Sequence, residues 1–467
     1  MLPAYAADIV RATIPMVAEH HTEITKKYYE LMATRHPVTL RAFDHGLHAA
    51  AVDREAMMSA VLHFARVQVD AVAAAAAGGP PVPMPGLSPV VAFYRASGMT
   101  PDQVLISARV LSRAFTQALG DRATPEIVRQ WDQVLWLFAT SSIADDVMRY
   151  QHSGVPDDVV WRPWSVMRRD EQVVDTVSFT LQPADGGSVP GFAPGQYTAV
   201  GVTLPDGARR LRHYTLTRAP DGDGVRITVR RLRGENGAPD GEVSSYLHDS
   251  VAVGDVLDLG PFVGDVTLDT SMVPLILISA GVGITYTAAL LDHVARNQPD
   301  RPVISVHADR SPGSHALMSE IASGAALLTS FRQFTWYEGP DPDSAEDSPE
   351  DSPGDTVKDT LGVAAKAPEQ AQHRFGRVRV DDLPVTLTAQ IYLCGPLAFM
   401  NEIRTGLIRM GHNPHRIHYE IFGPDQWARH RFEEAPLIPE QHRHDSQEGK
   451  TAAVKSSEPI PDPAWSW

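Results

Sequence analysis

The sequence is poor in the features that mark several common protein classes. Its single cysteine, Cys394, excludes an internal disulfide framework and a multi-cysteine zinc site. Its 41 basic residues are outnumbered by 57 acidic ones, and the net charge of -16 argues against nucleic acid or an anionic membrane surface as a main partner. No apolar run approaches the roughly 20 residues of a membrane helix, and the N terminus lacks the pattern of a signal peptide. We therefore expect a soluble, cytoplasmic protein.

Residues 1–152 have the pattern of a helical domain. Apolar side chains recur at spacings of three and four, and Thr100-Pro101-Asp102 is typical of a helix start. Between the helices, residues 73–89 read AAAAAGGPPVPMPGLSP, and we expect a long flexible loop there because prolines and glycines forbid a continuous helix. Histidine is absent between His63 and His152.

The pattern changes twice along the rest of the chain. Residues 155–268 contain short β-branched runs separated by turn residues, which predicts an antiparallel barrel. Residues 272–425 alternate buried-strand runs with helical segments, which predicts an α/β domain with a mainly parallel sheet. Within it, the acidic segment 341–372 is expected to be disordered, as is the polar tail 426–467. The predicted fold class is therefore a three-domain protein with helical, antiparallel β and α/β parts.

Six short motifs follow one another in the β and α/β parts. They are PGQYT (194–198), RHYTLT (212–217), GEVSSYLH (241–248), SAGVGIT (279–285), IYLCGPLAFM (391–400) and HYEIFGP (418–424). Each is weak alone, but in this order and spacing they resemble the ferredoxin-reductase-type FAD and NAD(P)H module over about 155–425. A flavin beside a nicotinamide implies hydride transfer, in which the protein orients the cofactors and excludes water.

The resemblance assigns flavin roles to two of these motifs. Arg212 offers a guanidinium fork to the flavin diphosphate. Tyr214 can lie against the isoalloxazine, and Thr215 can bind its polar edge. GEVSS offers backbone N–H groups and hydroxyls to the pyrophosphate, so the acidic side chain of Glu242 should point away from it. The other expected flavin residues are Tyr197, His213, Gly241, Val243, Ser244, Glu420 and the flavin-covering Phe422.

The nicotinamide site is expected at two other motifs. SAGVGIT follows a buried strand and opens a helix, so its glycines let cofactor phosphates approach the backbone. The family usually has proline where this chain has Tyr286. Arg310 is placed to read a 2′-phosphate, whereas Asp309 favours an unphosphorylated ribose, so the choice between NADH and NADPH stays open. The expected nicotinamide residues are Gly281, Gly283, Thr285, Cys394, Gly395 and Pro396, with Cys394 positional rather than nucleophilic.

A helical domain followed by this module resembles the flavohaemoglobins, the nitric oxide dioxygenase family. In that family a globin domain binds haem, electrons pass from NAD(P)H through FAD to the haem, and ferrous haem binds the O₂ that oxidises nitric oxide to nitrate. Tyr29 matches the distal tyrosine, and Phe43 matches the phenylalanine against the porphyrin. Met57 takes the place of the distal leucine, and Asp53 falls where a distal glutamine is expected.

The proximal side departs from the family pattern. Counted back from the helix start at Pro101, the position of the proximal histidine is Tyr94. The proximal tyrosine of the family becomes Val104, and its carboxylate partner becomes Asp146. Three interpretations stay open. Tyr94 ligates haem iron as a phenolate. Alternatively, haem is lost and Tyr94 is ordinary core packing, or the register is wrong and His63 or Met99 is the ligand.

Two functions follow from these interpretations. With haem, the chain is an NAD(P)H oxidoreductase of the nitric oxide dioxygenase type, whose partners are NAD(P)H, O₂ and nitric oxide. Without haem, it is an NAD(P)H:flavin reductase whose globin-like domain docks a protein electron acceptor or senses a small ligand.

Overall fold

The computed structural model describes residues 2–37, 39, 51–78, 100–153, 161–207, 209–234, 239–264, 266–339 and 371–420. For 51–56, 145–153 and 371 it describes the backbone alone. Of the residues considered for the cofactor sites, Phe43, Tyr94, Met99 and Phe422 lie outside the described residues. The side chains of Asp53 and Asp146 also lie outside them.

Helices form the N-terminal part, as the apolar spacing predicts. They are α1 (Ala4–Glu19), α2 (His21–Arg35), α3 (Ala51–Ala76), α4 (Pro101–Leu119) and α5 (Pro125–Ser153). The predicted start of α4 is confirmed in detail, because Thr100 and Gln103 form a reciprocal capping box ahead of Pro101. The loop expected from residue 73 begins later than predicted, since the alanines up to Ala76 continue α3. Alanine has the highest helix propensity, which explains that extension.

The helical core is apolar with a few satisfied polar contacts. Tyr28 of α2 is buried, and its hydroxyl lies 2.8 Å from the Ser107 hydroxyl of α4. Trp131 of α5 is also buried, and its indole N–H donates to Thr13 of α1 at 2.9 Å. Each of these large aromatic side chains thus fills the core without leaving its polar atom unpaired. They fix α2 against α4 and α1 against α5.

An antiparallel sheet follows. Its strands are β1 (Arg162–Val173), β2 (Thr176–Pro183), β3 (Tyr197–Thr203), β4 (Arg209–Thr215), β5 (Val225–Arg230) and β6 (Val256–Leu259), with helix α6 (Glu242–Ser250) between β5 and β6. The strand order is β4-β3-β6-β1-β2-β5, and a bridge between Leu216 and Ile227 joins the two edges. That bridge closes the sheet, and the predicted barrel is confirmed.

The α/β part has a parallel sheet with helices between its strands. Its elements are β7 (Leu275–Ala280), α7 (Ile284–Asn297), β8 (Val303–Asp309), α8 (Met318–Ala325), β9 (Phe331–Tyr337), β10 (Ala371–Phe375), β11 (Gln390–Cys394), α9 (Leu397–Arg409) and β12 (Ile417–Glu420). The order is β10-β9-β8-β7-β11-β12, so the winding direction reverses between β7 and β11. The crevice outside the carboxyl ends of strands at such a switch point is where open α/β sheets bind ligands.

The acidic segment predicted to be disordered, 341–372, falls almost wholly outside the described residues. Its last two residues were assigned wrongly, because residues 371 and 372 pair in parallel register with β9 and begin β10. The tail 426–467 also lies outside the described residues.

Within the described parts of the chain, none of the helices combines the length and the apolar character needed to cross a membrane.

Two buried histidines, His307 and His315, lie close together at the carboxyl end of β8. His307 lies 2.9 Å from the Ser279 hydroxyl of β7, and its ring centre is 4.3 Å from that of His315. Nδ1 of His315 lies 2.9 Å from the Tyr337 hydroxyl of β9. Burial, and then the neighbouring His307, hold the pKa of His315 well below its ordinary value. His315 is therefore neutral in the folded protein at pH 7.

Acid should destabilise this domain through His315. Because its pKa is lower in the folded than in the unfolded chain, its contribution to stability is complete above about pH 6.5 and is lost as the pH falls below that value. Replacing His315→Asn keeps a polar atom near Tyr337 and removes the titration. Denaturant unfolding at several pH values should give a shallower loss of unfolding free energy from about pH 6.5 to 5 in the variant. An unchanged slope would contradict this account.

Candidate active site

Strands β3 and β4 carry the first group of predicted flavin residues. Their register pairs Tyr197 with Thr215 and Val200 with Arg212. Since side chains alternate across a sheet, Arg212 and Tyr214 lie on one face and Tyr197, His213 and Thr215 on the other. The Tyr197 and His213 rings meet edge to face at 5.6 Å. The predicted flavin set is thus divided between two faces, which the motif alone did not indicate.

The Arg212 side chain is half-buried and only partly engaged. Nη1 donates to the Leu211 carbonyl at 2.7 Å, and within the described residues no carboxylate pairs with it. Burial raises the pKa of the neighbouring Tyr214. Tyr214 therefore stays a neutral phenol beside the charged guanidinium of Arg212.

The N terminus of α6 faces the same region of the barrel. Gly241 caps it, and a Cβ there would come within 2.7 Å of Ser244 Oγ and 2.9 Å of Leu232 Cβ. Glu242 is turned to Arg210, with 3.0 Å between carboxylate and guanidinium. Val243 is buried in the barrel core. The carboxylate of Glu242 therefore points to Arg210 and not to the N terminus of α6.

Two adjacent serines of α6 have different surroundings. Ser244 donates to the Gly241 carbonyl and accepts from the Leu232 N–H, both at 3.1 Å, so its hydroxyl holds the preceding loop in place. Ser245 Oγ is buried and has no hydrogen-bond partner among the described residues. A buried unpaired hydroxyl in the first turn of a helix suits an anionic ligand. Ser245 belongs to the GEVSS segment expected at the pyrophosphate, but Ser244 alone of the two serines was named as a flavin residue.

The predicted nicotinamide turn joins β7 to α7. Gly281 has φ +54°, a left-handed conformation that favours glycine. A Cβ on Gly283 would lie 2.4 Å from the Cys394 carbonyl oxygen, so the turn touches the end of β11. Gly395 similarly lies against β7, since a Cβ there would come within 3.0 Å of Ala280 Cβ. At Gly283 a side chain would collide with the Cys394 backbone, and at Gly395 a side chain would crowd β7, so both glycines suit the close approach of the strand ends at the switch point.

The end of β11 supplies the other side of the turn. Cys394 is 1% exposed and pairs in register with Glu420 of β12, which is also buried. Burial, and then the charge of Glu420, raise the pKa of the thiol well above its usual value. Pro396 caps the N terminus of α9. Cys394 is therefore a neutral, buried thiol that shapes the turn.

One contact brings the two predicted sites together. The Thr285 hydroxyl of α7 donates to the Val282 carbonyl at 2.8 Å and lies 3.3 Å from the Thr215 hydroxyl at the end of β4. Both threonines are buried. A predicted flavin residue and a predicted nicotinamide residue thus meet away from solvent, though they are far apart in the sequence.

A small crevice opens beyond the carboxyl ends of β8 and β9. Trp336 and Phe399 give it apolar walls, and Glu338 and Arg377 lie at its edge with 3.9 Å between their charged groups. Asp309 also lines it, but its carboxylate is buried and accepts from the Arg310 N–H at 2.7 Å and from the Ser314 hydroxyl at 2.6 Å. Asp309 therefore shapes the loop after β8, and Glu338 is the more accessible carboxylate.

The helical domain contains the described haem-pocket candidates. Tyr29 of α2 is half-buried, and its ring lies edge to face with Tyr28 at 5.2 Å. Met57 of α3 is buried, and Val104 of α4 is half-buried. All three border the same core. Tyr29 and Met57 thus lie at one core, on two different helices.

Comparisons with known proteins agree with this arrangement. Residues 277–405 match the family model described as the oxidoreductase NAD-binding domain. The chain is 32% identical to the flavohemoprotein of Rhizobium meliloti (strain 1021) over 92% of this chain and 100% of the relative. It is 28% identical to that of Bacillus subtilis (strain 168) over 91% of this chain and 98% of the relative. The solved flavohemoglobin of Malassezia yamatoensis, with bound FAD and heme, superposes with a TM-score of 0.72 at 26% identity, covering 90% of this chain and 98% of that chain.

The lone thiol offers a direct check of the described turn. Because Cys394 is buried and its pKa is raised, iodoacetamide should leave the folded protein almost unlabelled at about pH 8 and modify it fully in denaturant. Intact mass spectrometry reads the result without ambiguity, since the sequence has one cysteine. Rapid labelling of the folded protein would show that the ends of β7 and β11 are not packed as described.

Proposed function

The chain belongs to the flavohaemoglobin family, and from that membership we propose an FAD-dependent NAD(P)H oxidoreductase of the nitric oxide dioxygenase type. The observation that carries the proposal is the buried contact between Thr215 and Thr285. It joins the strand predicted to hold the flavin to the helix predicted to hold the nicotinamide. Hydride transfer requires that the flavin and nicotinamide rings be in contact and that water be excluded from them.

The domain assignment follows the same family pattern. We assign residues 1–152 to a globin-like domain, 155–268 to the FAD-binding barrel and 272–425 to the NAD(P)H-binding domain. The closed antiparallel sheet and the parallel sheet with its switch point support these boundaries.

The barrel residues fit a flavin diphosphate. The free donors of Arg212 and the buried, unpaired Ser245 hydroxyl both offer hydrogen bonds to an anion. The N terminus of α6 adds backbone N–H groups and the positive end of its dipole. Glu242 is held away by Arg210, so it does not oppose the negative charge. Bound FAD would supply the two-electron acceptor for the nicotinamide and release electrons singly.

The α/β residues fit a dinucleotide. The turn Gly281–Gly283 lets phosphates approach the backbone at the N terminus of α7. The crevice beside Trp336 and Phe399 offers apolar walls for the adenine, and Glu338 can accept from ribose hydroxyls. Cys394 takes no covalent part, because a buried neutral thiol is a poor nucleophile. Its backbone carbonyl and Gly283 instead hold the two rims of the site together.

The globin-like domain is proposed to hold haem. When bound, haem supplies the iron at which the dioxygenase chemistry of the family takes place. Tyr29 and Met57 fit a distal wall, since both border one core from neighbouring helices. For the iron ligand we propose Tyr94 on its sequence register alone. The haem-free reductase is the less favoured function, since the curated relatives match along the globin part as well.

The lone thiol and the charge bear on where the protein acts. A single cysteine needs no oxidising compartment, so we propose a cytoplasmic location. The net charge of -16 supports small molecules rather than nucleic acid or anionic membranes as partners.

Absorption spectroscopy tests the proposal. Protein expressed with added haem should show flavin bands at ~450 nm and a Soret band near ~400 nm. Anaerobic NADH or NADPH should bleach the flavin bands, and with O₂ present the protein should consume nitric oxide and form nitrate. Replacing Tyr94→Phe should remove or shift the Soret band and leave flavin reduction unchanged, with Tyr5→Phe, an exposed tyrosine of α1, as the control.

Each outcome separates the parts of the proposal. Flavin bands without a Soret band would reject the dioxygenase step and keep the reductase. A Soret band unaffected by Tyr94→Phe would reject Tyr94 as the iron ligand. Flavin that no nicotinamide nucleotide bleaches would reject the oxidoreductase itself.

A further inference from the structure

Tyr286 has a place in the structure that the sequence motif did not indicate. It is the third residue of α7, directly after Thr285, and is 1% exposed. Its hydroxyl donates to the Val266 carbonyl at 2.8 Å. Val266 belongs to the segment 266–274 that precedes β7, called the linker below, and it packs on the core cluster that contains Tyr286. The hydroxyl of Tyr286 thus ties that linker to the helix of the nicotinamide turn.

The ring of Tyr286 also contacts the barrel. A Cβ placed on Gly195 would lie 2.8 Å from Tyr286 Cε2 and 2.8 Å from the Val266 carbonyl oxygen. Gly195 has φ +96°, so this position requires glycine both for its backbone conformation and for the close approach of the Tyr286 ring. Gly195 lies two residues before Tyr197, in the PGQYT motif that leads into β3. One aromatic ring therefore sits against the backbone that precedes the flavin strands.

A second tyrosine, Tyr392, also binds the linker through its hydroxyl. Tyr392 of β11 accepts from the Asp269 N–H at 2.7 Å and donates to the Thr267 carbonyl at 3.2 Å. Two tyrosine hydroxyls, one from α7 and one from β11, thus bind the linker to the α/β domain. The ring of Tyr286 additionally fixes how close the Gly195 segment comes to α7.

Resting on the proposed function, we propose that Tyr286 is a positioning residue that sets the distance and angle between the flavin and the nicotinamide. Its neighbour Thr285 forms the contact with Thr215, so a shift of α7 against Gly195 would move the two predicted ring sites relative to each other. The proline usual at this position in the family has neither a hydroxyl to bind Val266 nor a ring large enough to meet Gly195 in the same way. A displacement of about 1 Å at a reaction centre can cost on the order of a hundredfold in rate.

Anaerobic stopped-flow reduction of the FAD-loaded full chain by NADH tests this role. We expect Tyr286→Ala to slow reduction of bound flavin about tenfold or more, because the ring contact is lost. The Kd of NADH should stay within about threefold, since the phosphate-binding backbone is intact. Tyr286→Phe keeps the ring and should stay within about threefold of the wild-type rate. The charge-transfer absorption of reduced flavin with NAD⁺ should weaken in Tyr286→Ala alone.

The matched control is Tyr392→Phe, which removes the hydroxyl of another buried tyrosine bound to the same linker. It should lower the thermal stability and leave the flavin-reduction rate unchanged. If Tyr286→Ala loses FAD, Tyr286→Leu, which keeps apolar volume without the ring, takes its place with the same expected slowing. A rate within about threefold of wild type in the folded, FAD-loaded Ala or Leu variant would overturn the inference. Failure of the wild type itself to be reduced would instead reject the proposed function.

Discussion

The contact between the hydroxyls of Thr215 and Thr285, 3.3 Å apart, is the constraint on which the proposed chemistry depends. The Gly281–Gly283 turn that leads to Thr285 packs against the end of β11, where any side chain on Gly283 would strike the Cys394 carbonyl. The barrel, in turn, must bring the end of β4 to the same place. Its closure through Leu216 and Ile227 fixes that strand end. The glycines of the turn, the end of β11 and the closed barrel thus all lie around the contact between Thr215 and Thr285.

Much of this arrangement could be predicted from the sequence, because it depends on local patterns. Alternating short strands predicted the barrel, alternating strands and helices predicted the parallel sheet, and the order of six motifs indicated the family. The motifs did not indicate which of their side chains are already hydrogen-bonded within the folded loops. The carboxylate of Asp309, expected to favour an unphosphorylated ribose, accepts from the Arg310 backbone N–H and the Ser314 hydroxyl of its own loop. The hydroxyl of Ser244, an expected flavin residue, also bonds locally, whereas that of Ser245 has no partner among the described residues.

Tyr286 is a second example of a role that the sequence did not indicate. From the sequence it is only a residue that stands where the family usually has proline. In the structure the larger side chain fills a gap between α7, the linker and Gly195. Tyr94 is another departure from the family pattern. As the proposed iron ligand, its phenolate would take the place of a neutral imidazole. A hard anionic donor favours ferric iron and lowers its potential, which opposes electron transfer from the flavin.

The most direct measurement of the central claim is a crystal structure of the full chain with FAD and NAD⁺. The account predicts the isoalloxazine and nicotinamide rings beside the Thr215–Thr285 contact, with the reacting atoms about 3–3.5 Å apart. The flavin diphosphate should lie at Arg212 and the N terminus of α6, and the adenosine should lie in the crevice beside Trp336. A nicotinamide bound away from Thr285, or a flavin diphosphate that contacts neither Arg212 nor Ser245, would contradict it.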